Sequence, residues 1–140
     1  MSDNAADVTG EGAEGMFPLW HLALMPDWEA ARATGEYRVS TRGRTLEQEG
    51  FIHCSYPHQL GVVARDCYAD APEPLVILEI DRDVLAEAGT LVRTEEAFPG
   101  GPRYPHLFGP LPVAAVTLTR PVEFDEGGTL VIGNPAVEER

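Results

Sequence analysis

The sequence predicts an α+β domain with a small mixed, split β-sheet and two main helices. A chain of 140 residues, 44% hydrophobic and 24% charged, fits one globular domain with one core. Candidate strands and helices alternate in the first half, whereas the second half contains mostly strands. Because the regular alternation is lost, a mixed sheet is expected rather than a doubly wound parallel one.

The first elements are a strand, a helix and a single helical turn. The run LWHLAL at residues 19–24 predicts the strand. A helix is expected to begin near Pro26 and to end at Gly35, since glycine is typical of a residue that ends a helix in the left-handed conformation. Thr45 and Gln48 have the spacing of a capping box, which predicts one helical turn there.

A second strand and a longer helix follow. Residues 51–55 predict the strand. Between residues 57 and 68, apolar side chains recur at the spacing of one buried helical stripe, and Ser55 is a candidate N-cap for this helix. The members of the stripe are Leu60, Val63, Ala64 and Cys67.

The second half of the chain predicts most of the sheet. Residues 75–80 form a continuous apolar run of the length expected for a central strand. Asp81 is a candidate cap for a helical turn over residues 83–87. Further strands are expected at residues 90–94, at 113–120 with Pro121 ending it, and at 122–124 and 129–131 as a hairpin.

The chain is strongly acidic, with a formal net charge of −13. Residues 1–16 predict a disordered acidic tail, residues 17–134 a single domain, and residues 135–140 a C-terminal tail. An acidic body repels phosphate backbones, so duplex nucleic acid is not an expected partner. No apolar run is long enough to span a membrane, and the N-terminus lacks the features of a signal peptide. A cytoplasmic location is therefore expected.

Strand alternation identifies the first candidate site residues. Alternate side chains share a face, so His53 and Ser55 are expected opposite Ile52 and Cys54. The same argument places His21 on the less hydrophobic face of the first strand. If the two strands are neighbours, His21, His53 and Ser55 line one cleft. The alternative is a structural role in which each imidazole is hydrogen-bonded to the backbone.

The two cysteines are expected to be core residues rather than a nucleophile or a disulfide. Cys54 adjoins His53, but alternation sends their side chains to opposite faces, where they cannot easily form a nucleophile–base pair. Cys67 belongs to the apolar helical stripe. No metal site is expected, because His53 and His58 lie on different elements, unlike the pair of a helical zinc site.

Two further segments offer polar side chains. Residues 104–112 contain three prolines and a glycine, which predicts a stiff loop that positions His106. A plain connector with an exposed histidine is the alternative. The locally basic stretch contains Arg38, which follows a helix end and is a candidate for binding phosphate or carboxylate. For its neighbours Arg42 and Arg44, a solvated loop that balances acidic residues is the favoured interpretation.

Several of these segments resemble the domain-of-unknown-function family 952. The specific parts are EGFIHCS at residues 49–55 and PHLFGPLP at residues 105–112, and the resemblance extends over about residues 18–121. It also includes WHL at residues 20–22, Gln59 and residues 75–81. The resemblance implies a fold similar to that of ADP-ribosyltransferases, whose split sheet binds NAD in a cleft.

The same resemblance implies roles for particular residues. Carried over by position, His21 would match the first element that grips the dinucleotide, and His53 with Ser55 the second. A glutamate often completes such sites, and the candidates for it are Glu95 and Glu96, although His106 is more motif-like.

Two hypotheses of function follow from the resemblance. In the first, the protein is an ADP-ribosyltransferase-like enzyme that acts on NAD or a related ADP-ribosyl compound. His53 and His106 would be catalytic, and His21, Arg38 and Ser55 would bind the dinucleotide. In the second, the same residues hold a small anionic metabolite without catalysis. Both hypotheses predict a small-molecule ligand and no metal, and the acceptor of the first stays open.

Overall fold

A computed structural model describes residues 13–138 of the chain. In chain order the strands are β1 (Leu19–Leu24), β2 (Glu36–Tyr37), β3 (Val39–Thr41), β4 (Arg44–Thr45), β5 (Ile52–His53), β6 (Leu75–Ile80), β7 (Leu91–Glu96), β8 (Arg103–Phe108), β9 (Leu111–Pro112), β10 (Val116–Phe124), β11 (Leu130–Ile132) and β12 (Ala136–Val137). The α-helices are α1 (Met25–Thr34), α2 (Leu46–Glu49), α3 (Leu60–Tyr68) and α4 (Arg82–Glu87), and 3-10 turns span Ala13–Met16, Pro57–Gln59 and Val113–Ala115. The predicted α+β class is confirmed.

The larger sheet is built around β6. This strand lies between β1 and β10, and both pairs are antiparallel. The short strands β11 and β12 pair with β10 on its other side. The continuous apolar run that predicted a central strand is thereby confirmed, because β6 has neighbours on both edges and buried side chains on both faces.

The smaller sheet has three strands, with β8 between β5 and β7. Its register sets Ile52 opposite Leu107 and His53 opposite His106. From the other side of β8, Arg93 also lies opposite His106. Directly opposed residues in antiparallel strands point to the same face. One face of this sheet therefore carries the histidines, and the other carries Ile52 and Leu107.

Both faces of the larger sheet are covered. One face packs against the smaller sheet and helix α1, and this core includes Leu19, Trp28, Ile52, Leu78 and Leu107. On the opposite face helix α3 packs its apolar side against Trp20, Leu22 and Ile77. Each large aliphatic or aromatic side chain buried in these cores contributes about 1.5–3 kcal/mol. The smaller sheet consequently has one face in the core and an outer face, on which Arg93 is exposed, His53 is half-buried and His106 is buried.

The predicted ends and caps of α1, α2 and α4 are confirmed, whereas the prediction of Ser55 as an N-cap is wrong, because Tyr56 precedes the Pro57–Gln59 turn and its backbone N–H donates to Gln59. Gly35 follows α1 with a φ of 97°, and its backbone N–H donates to the carbonyl of Ala31. Thr45 and Gln48 form the capping box of α2, each side chain accepting a hydrogen bond from the backbone N–H of the other. Asp81 caps α4 by accepting hydrogen bonds from two backbone N–H groups of its first turn. These local signals positioned the short helices correctly.

The prediction of a loop over residues 104–112 is largely wrong, because residues 103–108 form strand β8. The strand tolerates Pro105, since this residue contributes through its carbonyl, which accepts a hydrogen bond from Cys54 N at 2.9 Å. Pro121 likewise does not end β10, which continues to Phe124. The carbonyl of Pro121 accepts a hydrogen bond from Gly133 N at 2.7 Å. In both strands a proline lies where its carbonyl supplies a hydrogen bond.

The chain ends also differ from the expectation where the structure describes them. Residues 1–12 of the predicted N-terminal tail lie outside the described residues, as do residues 139–140. Ala13–Met16 form a 3-10 turn. Within the predicted C-terminal tail, Ala136 and Val137 form β12 and pair with β10.

The buried stripe of helix α3 ends on Tyr68 rather than on Cys67. Leu60, Val63 and Ala64 are buried as predicted, whereas Cys67 is exposed, so its assignment to the core is wrong. A stripe at positions i, i+3 and i+4 can continue at i+7 or at i+8. Here the larger Tyr68 side chain takes the buried place, and its hydroxyl donates to a backbone carbonyl of β1.

The two free cysteines provide a test of this burial. We expect Cys54→Ala to lower the free energy of unfolding by about 1 kcal/mol or more, because Cys54 lies in the core between the sheets. The matched variant Cys67→Ala should change it by less than about 0.5 kcal/mol. Urea denaturation measures both values. Equal losses in the two variants would contradict the burial described above.

Candidate functional site

The outer face of the smaller sheet joins an imidazole to a carboxylate. His106 on β8 places its Nδ1 2.7 Å from Oε1 of Glu95 on β7. An ionised carboxylate only accepts hydrogen bonds, so in the neutral ring the proton lies on Nδ1 and Nε2 keeps its lone pair. An imidazole oriented in this way is suited to act as a general base through Nε2.

His53 on β5 lies directly across from this pair. Its ring centroid is 5.5 Å from that of His106. Burial, reinforced by His106 and His21, lowers the pKa of His53 to about 3, so this ring is neutral at physiological pH. Within residues 13–138 no group is hydrogen-bonded to its ring nitrogens, although its backbone N–H donates to Ser40 Oγ. A neutral imidazole in this state offers a ligand one donor and one acceptor.

Aromatic rings surround the two histidines. The Phe51 ring stacks on His106 with a centroid separation of 3.9 Å and an interplanar angle of 13°. The Tyr104 ring lies 4.8 Å from His53, and the Phe108 ring lies 5.9 Å from Phe51. These rings exclude water from part of the face and present surfaces on which a planar group can stack.

Arg93 supplies positive charge on the same face. It lies opposite His106 in the β7–β8 register and two residues from Glu95, so the three side chains share one face. Its side chain is exposed, and its guanidinium forms no ion pair or hydrogen bond with any residue of the described range 13–138. In a chain with a net charge of −13, this guanidinium is available to an anionic ligand group.

Arg38, the basic residue selected from the sequence, is held by acidic neighbours. Its Nε lies 3.2 Å from Glu36 Oε1, and its Nη1 contacts Glu47 Oε2. Arg42 and Arg44 are paired as well, with Asp70 and Glu49 respectively. The favoured interpretation of these last two as residues that balance acidic neighbours agrees with their contacts.

His21 lies in the core rather than on the outer face. It is only 1% exposed, and its Nδ1 lies 2.7 Å from the backbone oxygen of His53. Its Nε2 lies 2.8 Å from the hydroxyl of Tyr37. A carbonyl oxygen only accepts, so Nδ1 of the neutral ring carries the proton and Tyr37 donates to Nε2. Both nitrogens are therefore used within the protein.

The predicted cleft of His21, His53 and Ser55 does not form. The face of β1 that carries His21 also carries Leu19 and Ala23, and it faces the main core instead of a cleft. Ser55 is buried, and its backbone N–H and carbonyl both bond to Trp20 of β1. The condition that the two strands be neighbours is not met within one sheet, because β1 and β5 belong to different sheets and are joined by an isolated backbone bridge between Trp20 and Ser55.

Strand alternation within the second strand is confirmed for the other residues. Cys54 is buried in the core between the sheets together with Ile52, while the His53 ring contacts Tyr104 and His106. Burial raises the pKa of the Cys54 thiol well above its ordinary value, so the thiol stays protonated and unreactive.

Sequence reasoning found the two histidines but missed most of their surroundings. Arg93, Phe51 and Tyr104 were not selected, and Glu95 was only one of two alternatives. The missing information was the register of β7 against β8, which sets Arg93 opposite His106 and Glu95 opposite Tyr104. Alternation along residues 90–94 could have suggested a shared face, but not the strand to which that face belongs.

Residues 13–138 contain no group of three or more His, Cys, Asp or Glu side chains arranged to hold a metal ion. None of the helices in this range has the length and apolar character needed to cross a membrane.

These features define a small α+β protein with a histidine–glutamate pair on the outer face of its smaller sheet. The chain belongs to the family described as Protein of unknown function (DUF952), which it matches over residues 23–119. The family resemblance inferred from the EGFIHCS and PHLFGPLP runs is thus confirmed.

Solved structures of one bacterial protein are similar to this chain. The X-ray structure of protein CC0527 from Caulobacter crescentus is 29% identical and has a TM-score of 0.66, covering 81% of this chain and 93% of that chain. Its solution NMR structure is 27% identical with a TM-score of 0.59, covering 81% and 91%. A comparison with curated proteins gives no match.

The burial of His21 predicts that acid destabilises the fold. Burial lowers the pKa of His21 from 6.5 to about 4, against a smaller opposing effect of the hydrogen bond to His53. The unfolded chain therefore takes up the proton first as the pH falls. The stability that the neutral ring contributes is complete above about pH 6.5 and is lost between about pH 6.5 and pH 4. The free energy of unfolding lost over this pH range through His21 amounts to about 3 kcal/mol.

Urea unfolding between pH 7 and pH 4 measures this dependence. His21→Asn should show a flatter decline than the wild type, while His58→Asn, at an exposed position, should follow the wild type. The lowered pKa of His53 adds destabilisation in the same direction in all three proteins. NMR titration of the wild type provides a second readout. A His21 ring that titrates near pH 6.5 would contradict the burial.

Proposed function

We propose that the outer face of the smaller sheet binds a ribosyl nucleotide such as NAD and promotes chemistry at the anomeric carbon of its ribose. The observation that carries the proposal is the placement of His53, His106, Glu95 and Arg93 on one face among aromatic rings. On the same ground we extend the family resemblance to the fold, and propose that the split sheet corresponds to that of ADP-ribosyltransferases.

Each group has a place in the binding of such a ligand. Arg93 would pair with a phosphate oxygen, because its guanidinium has no acidic partner within residues 13–138. His53 would hydrogen-bond ribose hydroxyls, since its neutral ring both donates and accepts. The rings of Phe51 and Tyr104 would stack with a planar group of the ligand.

The chemistry would use His106 and Glu95 as a pair. The bond between the ribose C1′ and the nicotinamide nitrogen breaks, and its electron pair leaves with nicotinamide. An acceptor hydroxyl, here water, forms the new bond to C1′ and gives its proton to Nε2 of His106. Glu95 stabilises the imidazolium through its 2.7 Å contact with Nδ1. With water as acceptor the products are ADP-ribose, nicotinamide and a proton.

Non-catalytic binding of a small anionic metabolite is the second candidate. The 2.7 Å contact of Glu95 with His106 favours it, because this carboxylate is held by the imidazole and is not left to stabilise positive charge on a bound ribose. Arg93 and His53 would then serve as ligand contacts, with no bond cleavage. Both candidates take a small molecule and fit the cytoplasmic location expected from the sequence, and the first has no assigned protein acceptor.

Ligand binding is the first test of the proposed face. In calorimetric titrations with NAD, ADP-ribose and nicotinamide, we expect saturable NAD binding that weakens at least tenfold in His53→Ala. Glu87→Ala, which removes an exposed side chain on helix α4 away from both this face and its surroundings, is the control and should bind as the wild type. Circular dichroism confirms that each variant is folded. Equal affinities in the His53 variant and the wild type would remove this face from the proposal.

A pair of arginine variants sharpens the same titration. Arg93→Gln should weaken NAD binding and reduce its dependence on salt, because an exposed ionic contact with phosphate, which salt screens, is lost. Arg38→Gln should have a smaller effect, since that guanidinium is already paired with Glu36 and Glu47. A larger loss of NAD affinity in Arg38→Gln than in Arg93→Gln would instead assign the anion-binding role to Arg38.

Turnover distinguishes the enzyme from the binding protein. If His106 acts as a base oriented by Glu95, Glu95→Gln should lower the rate of nicotinamide release about a hundredfold or more. NAD affinity should change less than threefold, because the amide still fills the same volume. Chromatographic detection of nicotinamide measures the rate. Saturable binding without any release of nicotinamide by the wild type would instead favour the second candidate.

A further inference from the structure

A cavity of about 530 Å³ adjoins the proposed site through one shared ring. Tyr104 lines the cavity, and its ring centroid lies 4.8 Å from that of His53. The remaining wall is formed by Phe17, Tyr56, His58, Gln59, Val62 and residues 101–103. The cavity and the histidine face are therefore neighbouring parts of one continuous surface, with the Tyr104 ring between them.

The lining of this cavity is mostly aromatic and apolar, with Gln59 and Arg103 as its polar members. Phe17 lies 5.4 Å from both Tyr56 and His58, measured between ring centroids, and the latter two rings are nearly parallel at 6.0 Å. Phe17 is 40% exposed and Val62 is 43% exposed. Single exposed apolar residues are common on protein surfaces, but here two of them border one concave site together with several rings.

The walls of the cavity are fixed by contacts within the protein. Gln59 accepts a hydrogen bond from Tyr56 N through Oε1, and donates from Nε2 to the carbonyl of Arg103 at 2.5 Å. This side chain joins the 3-10 turn Pro57–Gln59 to the start of β8. The Tyr56 hydroxyl is hydrogen-bonded to Thr94 Oγ1 at 2.7 Å. The cavity is therefore formed before any ligand enters, which lowers the entropic cost of binding.

We propose that this cavity is a subsite for the adenine ring of the ligand whose reacting ribose lies at His53 and His106. The inference rests on the proposed function and deepens it, because it assigns the substrate to compounds that carry a base as well as a ribose phosphate. Stacked rings and an apolar wall favour a flat, weakly polar group. A sugar phosphate without a base would reach the histidines and leave the cavity unfilled.

Blocking the cavity tests this assignment. Val62→Trp places a large side chain at its wall from an exposed position of helix α3, so the fold should be retained. Arg65→Trp is the matched control, because Arg65 lies on the same helix, outside the lining, with 64% of its side chain exposed. Phe17→Ala is a second variant that removes an aromatic surface without filling the cavity. The probes are adenosine, ADP-ribose and ribose 5-phosphate, titrated against each variant.

We expect Val62→Trp to weaken the binding of adenosine and ADP-ribose at least tenfold and to leave ribose 5-phosphate unchanged. Phe17→Ala should weaken the same two ligands, and Arg65→Trp should bind all three as the wild type does. Equal ADP-ribose affinity in Val62→Trp and the wild type would overturn the subsite. Ribose 5-phosphate binding that falls as much as ADP-ribose binding would also overturn it.

The two proposals fail in different ways. If ADP-ribose binding is lost in Val62→Trp but unaffected in His53→Ala, the cavity binds the ring and the proposed role of the histidines is wrong. If it is lost in His53→Ala but unaffected in Val62→Trp, the proposed function stands and the ring subsite does not. A wild-type protein that binds neither adenosine nor ADP-ribose overturns both.

Discussion

The register between β5 and β8 determines both the core and the candidate site. Pairing Ile52 with Leu107 buries both side chains, and the same register leaves His53 and His106 opposite each other on the outer face. Because side chains alternate along a strand, a slip of one residue would bury the imidazoles and expose the aliphatic side chains. Burial of each aliphatic side chain contributes about 1.5–3 kcal/mol, so the free energy that stabilises the core also holds the two histidines together.

His21 connects this register to the rest of the fold. Its ring uses one nitrogen to donate to the carbonyl of His53 in β5 and the other to accept from Tyr37 in β2, while its backbone belongs to β1. A buried imidazole with both nitrogens bonded stabilises the structure only while it is neutral, since charging it would break one bond and bury an unpaired charge. His21, a candidate ligand-binding residue from the sequence, thus has a structural role, which was the alternative interpretation of the sequence.

The electrostatics of the outer face follow from partial burial. His53 stays neutral because the surrounding rings and the second histidine disfavour its charged form, whereas His106 keeps a carboxylate partner at hydrogen-bond distance. Arg93 adds a positive charge beside them. The outer face therefore combines the neutral imidazole of His53, the imidazole of His106 oriented by Glu95, and the guanidinium of Arg93. The neighbouring aromatic rings exclude water from part of this face. Tyr104 extends this surface into the neighbouring cavity. Its ring contacts His53 on one side and lines the aromatic cavity on the other.

The sequence by itself determined the elements whose signals are local, including the end of α1 at Gly35, the capping box at Thr45 and the central strand β6. Backbone conformation and short-range alternation govern these features, and both can be read from neighbouring residues. Only the tertiary structure decided that residues 103–108 form a strand, that Glu95 meets His106 and that His21 is enclosed. Those outcomes depend on which strands pair and in what register. That choice is set by the packing of residues far apart in the chain, which no local pattern encodes.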